Sequence, residues 1–181
     1  MYILEVLLVL AIVTLIFCVI ALFVVINYNS IVEVLYKVNV SENKITETLK
    51  NKQDLLSRAI NIIEKQLKID TKVFDEFKKI NSNNLRNNEK DLILNSTFNE
   101  VKRISEDYDE LDKVKSYSGI IKDIEECDCL LGGVKTMNNK YVAIYNKYLK
   151  AFPKNIISKF KRFKSKSLYD LEFKKEAEIT I

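Results

Sequence analysis

The hydrophobic pattern divides the chain into one unbroken apolar run and a longer region of helical periodicity. Between Val6 and Ile26 there is no charged side chain, and Thr14 is the only weakly polar one. About 20 such residues cross a hydrocarbon core of roughly 30 Å as a helix. We therefore predict a single transmembrane anchor over residues 1–27. The positions assigned to the membrane span are Val6, Leu10, Thr14, Cys18, Leu22 and Ile26.

A cleaved signal peptide is the main alternative for the apolar run. Such a leader starts with basic residues, has a shorter apolar stretch and ends at a small-residue site. Here the run is preceded by MYILE and no small-x-small site follows it, so we expect the segment to stay attached. Lys37 and Lys44 follow the run and no basic residue precedes it. The positive-inside rule then predicts a cytoplasmic body and an external N-terminus.

Beyond the run, apolar residues recur at three-, four- and seven-residue steps in three long segments. Their opposite faces are polar, which is the pattern of amphipathic helices that bury one stripe against each other. We predict an all-α fold, in which an N-terminal transmembrane helix is followed by an antiparallel bundle of three long helices plus a short C-terminal helix. The predicted helices extend from the membrane to about Lys79, from Glu89 to about Lys115, and from about Ile120 to Phe152. The bundle is assigned to residues 28–168 and a C-terminal tail to 169–181.

Turn signals separate the predicted helices. The Asn-rich stretch from Asn81 to Asp91 and the sequence Ser116–Gly119 favour turns over helix interiors. Pro153, the only proline, ends the third helix, because the residue before a proline avoids the helical region. The pair Gly132-Gly133 inside that helix indicates either a kink or a close helix contact.

Composition excludes several kinds of chemistry. The chain has no histidine, which removes Ser-His-Asp and Cys-His catalytic arrangements and imidazole metal sites. Its three cysteines are interpreted as free thiols of a reducing compartment. The acidic stretch Ser105–Asp112 has no glycine for a calcium loop and fits a solvated helix face. We therefore predict no catalytic residue, no cofactor and no metal site.

A basic, amphipathic segment follows Pro153. It combines apolar residues at helical steps with cations, and no acidic residue occurs before Asp170. Three surfaces suit such a segment: the end of the bundle, anionic lipid, and nucleic acid. We favour packing against the bundle, keep lipid contact as an alternative or addition, and expect no nucleic acid partner. The residues assigned to anionic-lipid contact are Lys154, Lys159, Lys161, Arg162, Lys164 and Lys166.

Several motifs in this order resemble the LemA family. The family carries Tyr-Asn after an N-terminal span, a Leu-basic-Asp-Leu pattern on the first long helix, Tyr-Asn and valine positions on the third, and a Phe-Pro followed by an apolar pair and a final Phe. Where the family pattern has Pro-Asn, this chain has Ser57 and Arg58, and Asn138 replaces a tyrosine. The matching positions are Tyr28, Asn29, Leu49, Lys52, Asp54, Leu55, Asn139, Val142, Tyr145, Asn146, Phe152, Pro153, Phe160 and Phe163.

The resemblance implies a divergent, membrane-anchored bundle of long helices and supplies no catalytic residue. We therefore expect a non-enzymatic scaffold or interaction protein at the bacterial cell membrane. Its expected partners are the lipid bilayer and a membrane or cytoplasmic protein, and self-association into a homo-oligomer is a further option. A membrane-tethered enzyme or accessory subunit, with a site between bundle helices, is the alternative function.

Overall fold

A computed structural model describes residues 2–67, 71–80, 85–108, 110–111 and 113–169. All regular elements among these residues are helical, and the predicted all-α class is confirmed. The helices are α1 (Tyr2–Leu67), α2 (Asp75–Lys79), α3 (Asn87–Asp107), α4 (Lys115–Lys150) and α5 (Lys154–Phe160), with a 3-10 turn over Thr71–Phe74.

The chain forms two compact units. The first unit comprises residues 1–39 and 140–167, and the second comprises residues 40–139 and 168–181. Helices α1 and α4 pass through both units, so each helix contributes to two cores. The predicted limits of anchor, bundle and tail stay predictions, because compactness does not report where a membrane begins. Of the predicted tail, residues 170–181 lie outside the described residues.

Hydrogen bonds in the second unit give the direction of its helices. Ser41 of α1 pairs with Asn138 of α4 at 2.8 Å, and Lys52 of α1 pairs with Asp128 of α4. As the residue number rises on α1 it falls on α4, so these two helices are antiparallel. Helix α4 is also antiparallel to α3, because Asp91 pairs with Lys135 whereas Lys102 pairs with Glu125.

Helices α1 and α3 run in the same direction. Asn87 donates to Thr46 at 2.7 Å, and Lys52 donates to Asn95 at 2.6 Å, so both numbers rise together. The connection between residues 67 and 87 therefore leads from the end of α1 back to the level of Thr46. That return spans about 30 Å, the length of the intervening 21 residues of α1 at about 1.5 Å each.

The core of the second unit consists of the predicted apolar stripes with a few exchanges. The helical period predicts inward positions for Val73, Leu92 and Tyr108. Phe74 is buried instead of Val73, and Leu92 and Tyr108 are exposed. A helix that ends or turns away changes which positions of a stripe face inward, and all three exceptions lie near helix ends. The buried cluster contains Ile45, Leu49, Leu56, Ala59, Ile60, Ile63, Phe74, Phe77, Ile80, Leu94, Phe98, Val101, Ile104, Leu111, Tyr117, Ile124, Leu131 and Val134.

Helix boundaries differ from the prediction in three places. Helix α3 ends at Asp107 rather than near Lys115. Helix α1 ends at Leu67 rather than near Lys79, because the chain must turn back before α3. Helix α4 begins at Lys115, so the stretch Ser116–Gly119 is helical and not a turn. The backbone of Tyr117 and that of Ser118 both donate to the Val114 carbonyl, at 2.8 and 3.3 Å, which closes the first turn of α4.

The glycine pair of α4 does not make the close contact proposed from the sequence. Gly132 and Gly133 are exposed, and a Cβ atom added to either would meet nothing within 4 Å. The helix continues through both residues from Lys115 to Lys150.

Candidate functional site

The N-terminal part of α1 presents apolar side chains on all sides. Every residue from 2 to 26 is exposed, including all six positions assigned to the membrane span. The segment is long and apolar enough to cross a membrane, although a signal sequence would pass the same test. Between Val6 and Ile26 the one weakly polar side chain, Thr14, is satisfied by its own helix, because its Oγ1 donates to the Leu10 carbonyl at 3.0 Å. Internal satisfaction of this kind is what a lipid environment requires.

The first unit also contains an exposed apolar stripe on and before α5. Phe152, Ile156 and Phe160 are 79%, 60% and 84% exposed and occur at four-residue steps. The opposite side of α5 is fixed by Ser158, which is buried and donates to the carbonyl of Leu149 at 3.2 Å. The expectation that the apolar face of the segment after Pro153 packs against the bundle is therefore wrong for Ile156 and Phe160. Ile157 and Phe163, on the same segment, are half-buried.

The exposed side chains of α5 and the end of the apolar segment of α1 enclose a groove of 470 Å³. One aromatic contact and one cation–π contact lie beside it. The rings of Tyr28 and Phe163 are 6.2 Å apart, and Lys161 Nζ lies 5.7 Å from the centre of the Tyr28 ring. The groove is lined by Val24, Val25, Tyr28, Ile156, Ile157, Phe160 and Lys161.

Cations surround this apolar surface. Lys154 Nζ lies 3.4 Å from the centre of the Tyr148 ring, and Lys166 Nζ donates to Asn39 at 3.0 Å. None of the other cations between residues 150 and 164 forms an ion pair with an acidic residue in the described part of the chain. The residues assigned to lipid contact thus form a field of positive charge in the first unit, and Lys161 alone among them lines the groove.

Helix α5 ends in a Schellman motif with arginine in the position that glycine usually takes. The backbone N–H of Phe163 donates to Ser158 O at 2.9 Å, and that of Arg162 donates to Lys159 O at 3.2 Å. This pattern requires a left-handed residue after the helix, and Arg162 has φ 57°. A side chain other than glycine is disfavoured there because its Cβ crowds the backbone.

The second unit has a polar groove between α1 and α4. It measures 390 Å³ and is open to solvent, and its charged side chains Asp54, Arg58, Asp123 and Glu126 are exposed. Among the described residues, no three carboxylate or thiol groups lie close enough to hold a metal ion. The groove therefore offers surface charge of both signs, a chemistry suited to polar contact with a macromolecule.

A buried charge network connects the three long helices of the second unit. Lys52 is 0% exposed, and its Nζ contacts Asn95, Asp128 and, at 5.6 Å, the Phe98 ring. Asn95 in turn donates to Asp91 at 3.3 Å. Asp91 accepts from Lys135, so the network continues to a second cation on α4.

Sequence reasoning missed this network. Lys52 was noted as a family-motif position, but it was not predicted to be buried. Its position offers a weak signal, since Lys52 follows Leu49 by three and precedes Leu56 by four in the apolar stripe. Asp128 lies close to Glu125 and Glu126 in sequence, and such an acidic cluster is typical of a solvated helix face. Its side chain remains one-third exposed, so that interpretation is only partly wrong.

The other motif residues serve mainly to hold the chain together. Val142 and Tyr145 are buried in the first unit, where burial raises the pKa of Tyr145. Asn146 binds the backbone of Lys166 through both its amide nitrogen and its oxygen, at 2.7 and 3.0 Å. In the second unit, Asn139 accepts from the backbone of Tyr169 at 2.8 Å. Each of these asparagines thus has a structural partner within its own unit.

The remaining motif positions are divided between surface and core. Leu49 is buried, Leu55 is half-buried beside the polar groove, and Asn29 is exposed. Pro153 immediately precedes α5 and is half-buried.

Comparison with known proteins gives one match. The family model described as "LemA family" matches residues 41–181, which include all the motif positions from Leu49 onward. Tyr28 and Asn29 precede the matched range. No curated protein matches the chain, and no solved structure does. Because the family model covers well over half of its length, the chain belongs to the LemA family.

Proposed function

We propose that this LemA-family chain is a membrane-tethered scaffold, whose helical body holds or recruits a protein partner at the cytoplasmic face of the cell membrane. The observation that carries the proposal is the complete exposure of the apolar side chains of α1 from residue 2 to residue 26. A Leu, Ile, Val or Phe side chain gains about 1.5–3 kcal/mol on leaving water. A bilayer would supply that gain for the whole segment.

The continuity of α1 supports retention of the tether. The helix runs without interruption from Tyr2 to Leu67, so the apolar segment is part of the same element that contributes to both cores. Polar residues begin directly after the apolar run, where Asn27 donates to the Phe23 carbonyl at 2.8 Å. Such a junction suits the passage from hydrocarbon to headgroups.

Membrane fractionation tests the tether. The full chain is expected to stay in the pellet after alkaline carbonate extraction, and the mass of its N-terminal peptide is expected to include residues 2–26. A chain that is released into the supernatant, or that has lost this segment, would contradict the proposal. A variant carrying Leu10→Lys and Leu22→Lys is the internal control, because two charges in the segment oppose insertion.

Cations of the first unit support the proposed orientation. Lys37 and Lys44 follow the apolar run in sequence. Lys161 is a third basic residue near the end of the run, because it contacts Tyr28 in the folded chain. Positive charge beside one end of a span favours the cytoplasmic side for that end. In this orientation the cations of the first unit would also face the anionic lipid of the cytoplasmic leaflet, which attracts them.

The polar groove of the second unit is the proposed partner surface. A photo-crosslinking residue at Asp54, in the groove, is expected to capture a specific protein in cells. The same residue at Asn99, which is exposed on α3 and does not line the groove, serves as the matched control. Equal capture at both positions would argue against the groove. Turnover of a small molecule that is abolished by Asp54→Asn would instead favour the enzyme alternative.

A further inference from the structure

We propose that the groove between α1 and α5 of the first unit binds an acyl chain of an anionic phospholipid, whose phosphate is held by Lys161 and Arg162. The inference rests on the proposed membrane tether and extends it. It assigns a second contact with the bilayer, the class of lipid and the residues that recognise it.

The walls of the groove match a hydrocarbon chain. Val24, Val25, Ile156, Ile157 and Phe160 supply apolar surface, and among the described residues Lys161 is the only charged one that lines it. A volume of 470 Å³ lies within the range of about 300–1,000 Å³ that is usual for small-ligand sites. Apolar walls with one cation at the side suit a molecule with a hydrocarbon chain and an anionic headgroup.

The position of the groove along α1 supports lipid as the occupant. The uncharged run ends at Ile26, and the groove is formed by residues 24 to 28 of α1. In a tethered chain these residues lie where acyl chains meet headgroups. Tyr28 belongs to a residue type that is enriched at this depth. The exposed side chains of Phe152 and Phe160 can then leave water and contact acyl chains.

Arg162 adds an argument from backbone conformation. Its left-handed φ of 57° would cost less with glycine, yet the chain has an exposed arginine there, directly after Lys161. Two adjacent cations at the end of α5 provide the charge that a phosphate needs, and arginine binds phosphate oxygens through two parallel hydrogen bonds. The strained position is explained if the guanidinium binds a ligand.

Charge also favours lipid over a second copy of the chain. In a symmetric dimer the same patch meets itself. The α5 regions of two copies would then place their cations against each other, which is unfavourable. An anionic lipid surface instead attracts every one of these cations.

A single introduced tryptophan tests the inference, since the chain has none. The full chain carrying Phe160→Trp is reconstituted in phosphatidylcholine vesicles that contain a fixed small fraction of either brominated phosphatidylglycerol or brominated phosphatidylcholine. Bromine quenches indole fluorescence only at close range. We expect strong quenching by the anionic brominated lipid and weaker quenching by the zwitterionic one.

Charge variants in the same background test the assigned cations. Lys161→Gln is expected to lower the preference for the anionic lipid roughly fivefold, and Arg162→Gly by a similar factor. The glycine also suits the left-handed backbone, so this variant keeps the helix cap. Lys140→Gln, an exposed cation of the first unit outside the basic run, removes the same charge and is expected to change nothing.

Two further reporters separate failure of this inference from failure of the tether. Phe17→Trp places an indole in the span, and Leu130→Trp places one in the second unit. If the indole of the span reporter is not quenched, the tether itself is wrong. If the span reporter is quenched but the α5 reporter, Phe160→Trp, behaves like the one in the second unit, the tether stands and the lipid site is overturned. Equal quenching of the α5 reporter by both lipids, or a shielded, unquenched α5 reporter in a chain of doubled mass, would also overturn it.

Discussion

At the residue scale, Lys52 is the least expected feature of the chain. A fully buried ammonium group is costly unless charge and hydrogen bonding compensate for lost water. Here compensation comes from Asp128 and Asn95, on two other helices, together with the face of Phe98. Since Asp128 and Asn95 lie on different elements, Lys52 fixes the register of α1 against α3 and α4.

Removing the Lys52 side chain is expected to destabilise the protein by about 2–4 kcal/mol. Lys52→Ala deletes the packed stem and leaves Asn95 and Asp128 without their cation. The lower part of the range is favoured because Asp128 is one-third exposed and can be hydrated. Lys52→Met keeps the stem and is expected to cost less. Urea unfolding of the full chain in one fixed detergent measures the difference.

Lys50 provides the control for this comparison. It lies two residues away on the same helix and is exposed, so Lys50→Ala is expected to change the free energy of unfolding by no more than about 0.5 kcal/mol. Equal effects of the two alanine variants would show that the buried network contributes nothing to stability.

The two neighbouring thiols of α4 are expected to differ in reactivity. Burial, and then the charge of Asp128, raise the pKa of Cys127, although Lys52 opposes them. Its Sγ also donates to the Thr48 carbonyl at 3.4 Å, whereas Cys129 is exposed. The thiolate is the reactive form, so a raised pKa leaves less of it at neutral pH.

Alkylation of the native chain near pH 7.5 should therefore modify Cys129 at least about tenfold faster than Cys127. Peptide mass spectrometry after a timed quench gives both rates. The ratio is expected to fall as pH rises, because Cys127 ionises at a higher pH than an ordinary thiol, and to approach one in denaturant. Equal native rates would contradict the burial of Cys127.

Residue identities alone could not have predicted these environments. Periodicity correctly placed Leu49, Leu56 and Val142 inside, because apolar side chains gain from burial wherever the helix lies. The burial of Lys52 depends on partners 43 and 76 positions away, which no local pattern encodes. The apolar character of Phe160 predicted burial, but its exposure depends on what surrounds α5, which the local sequence does not encode.

At the element scale, the sequence identified the helices better than their ends or connections. Long helical periods and scarce glycine and proline correctly predicted an all-α chain, and Pro153 correctly marked the end of α4. The parallel arrangement of α1 and α3 was not predicted, because it depends on the return of the chain between residues 67 and 87. That path is set by tertiary burial of Phe74, Phe77 and Ile80.

The glycine pair of α4 gives a prediction for this element. Gly132→Ala and Gly133→Ala are each expected to stabilise the chain by about 0.5–1 kcal/mol, because alanine loses less conformational freedom in a helix. Neither Cβ would meet an atom within 4 Å, so no strain offsets the gain. Thermal or urea unfolding of the full chain measures the change.

Gly119→Ala, in the second turn of the same helix and equally open, tests whether the effect depends on the pair. A similar gain at all three positions is expected from helix propensity alone. Loss of stability at Gly132 or Gly133, but not at Gly119, would mean that a partner packs closely against the pair.

At the scale of the whole molecule, charge and hydrophobicity are distributed unequally along the chain. The apolar segment precedes every basic residue of the sequence, and the cations of α5 belong to the same compact unit as that segment. Both facts place these cations on the C-terminal side of the proposed span. The order of the apolar segment and the basic residues is visible in the sequence. That the cations of α5 share a unit with the segment is known only from the fold.

Selective labelling at Cys129 tests the orientation that this asymmetry predicts. A chain with Cys18→Ser and Cys127→Ser keeps one exposed thiol in the second unit. In intact cells, a maleimide that cannot cross membranes is expected to leave Cys129 unmodified, and to label it once the membrane is opened. The same chain with Cys129→Ser and Tyr2→Cys carries its thiol at the opposite end of the span, and should be labelled in intact cells. Exchange of the two results would place the body outside the cytoplasm, and labelling of both thiols in sealed cells would mean that the apolar segment does not separate them. Because Cys129 is exposed in the fold, failure to react in sealed cells reports the membrane barrier and not burial.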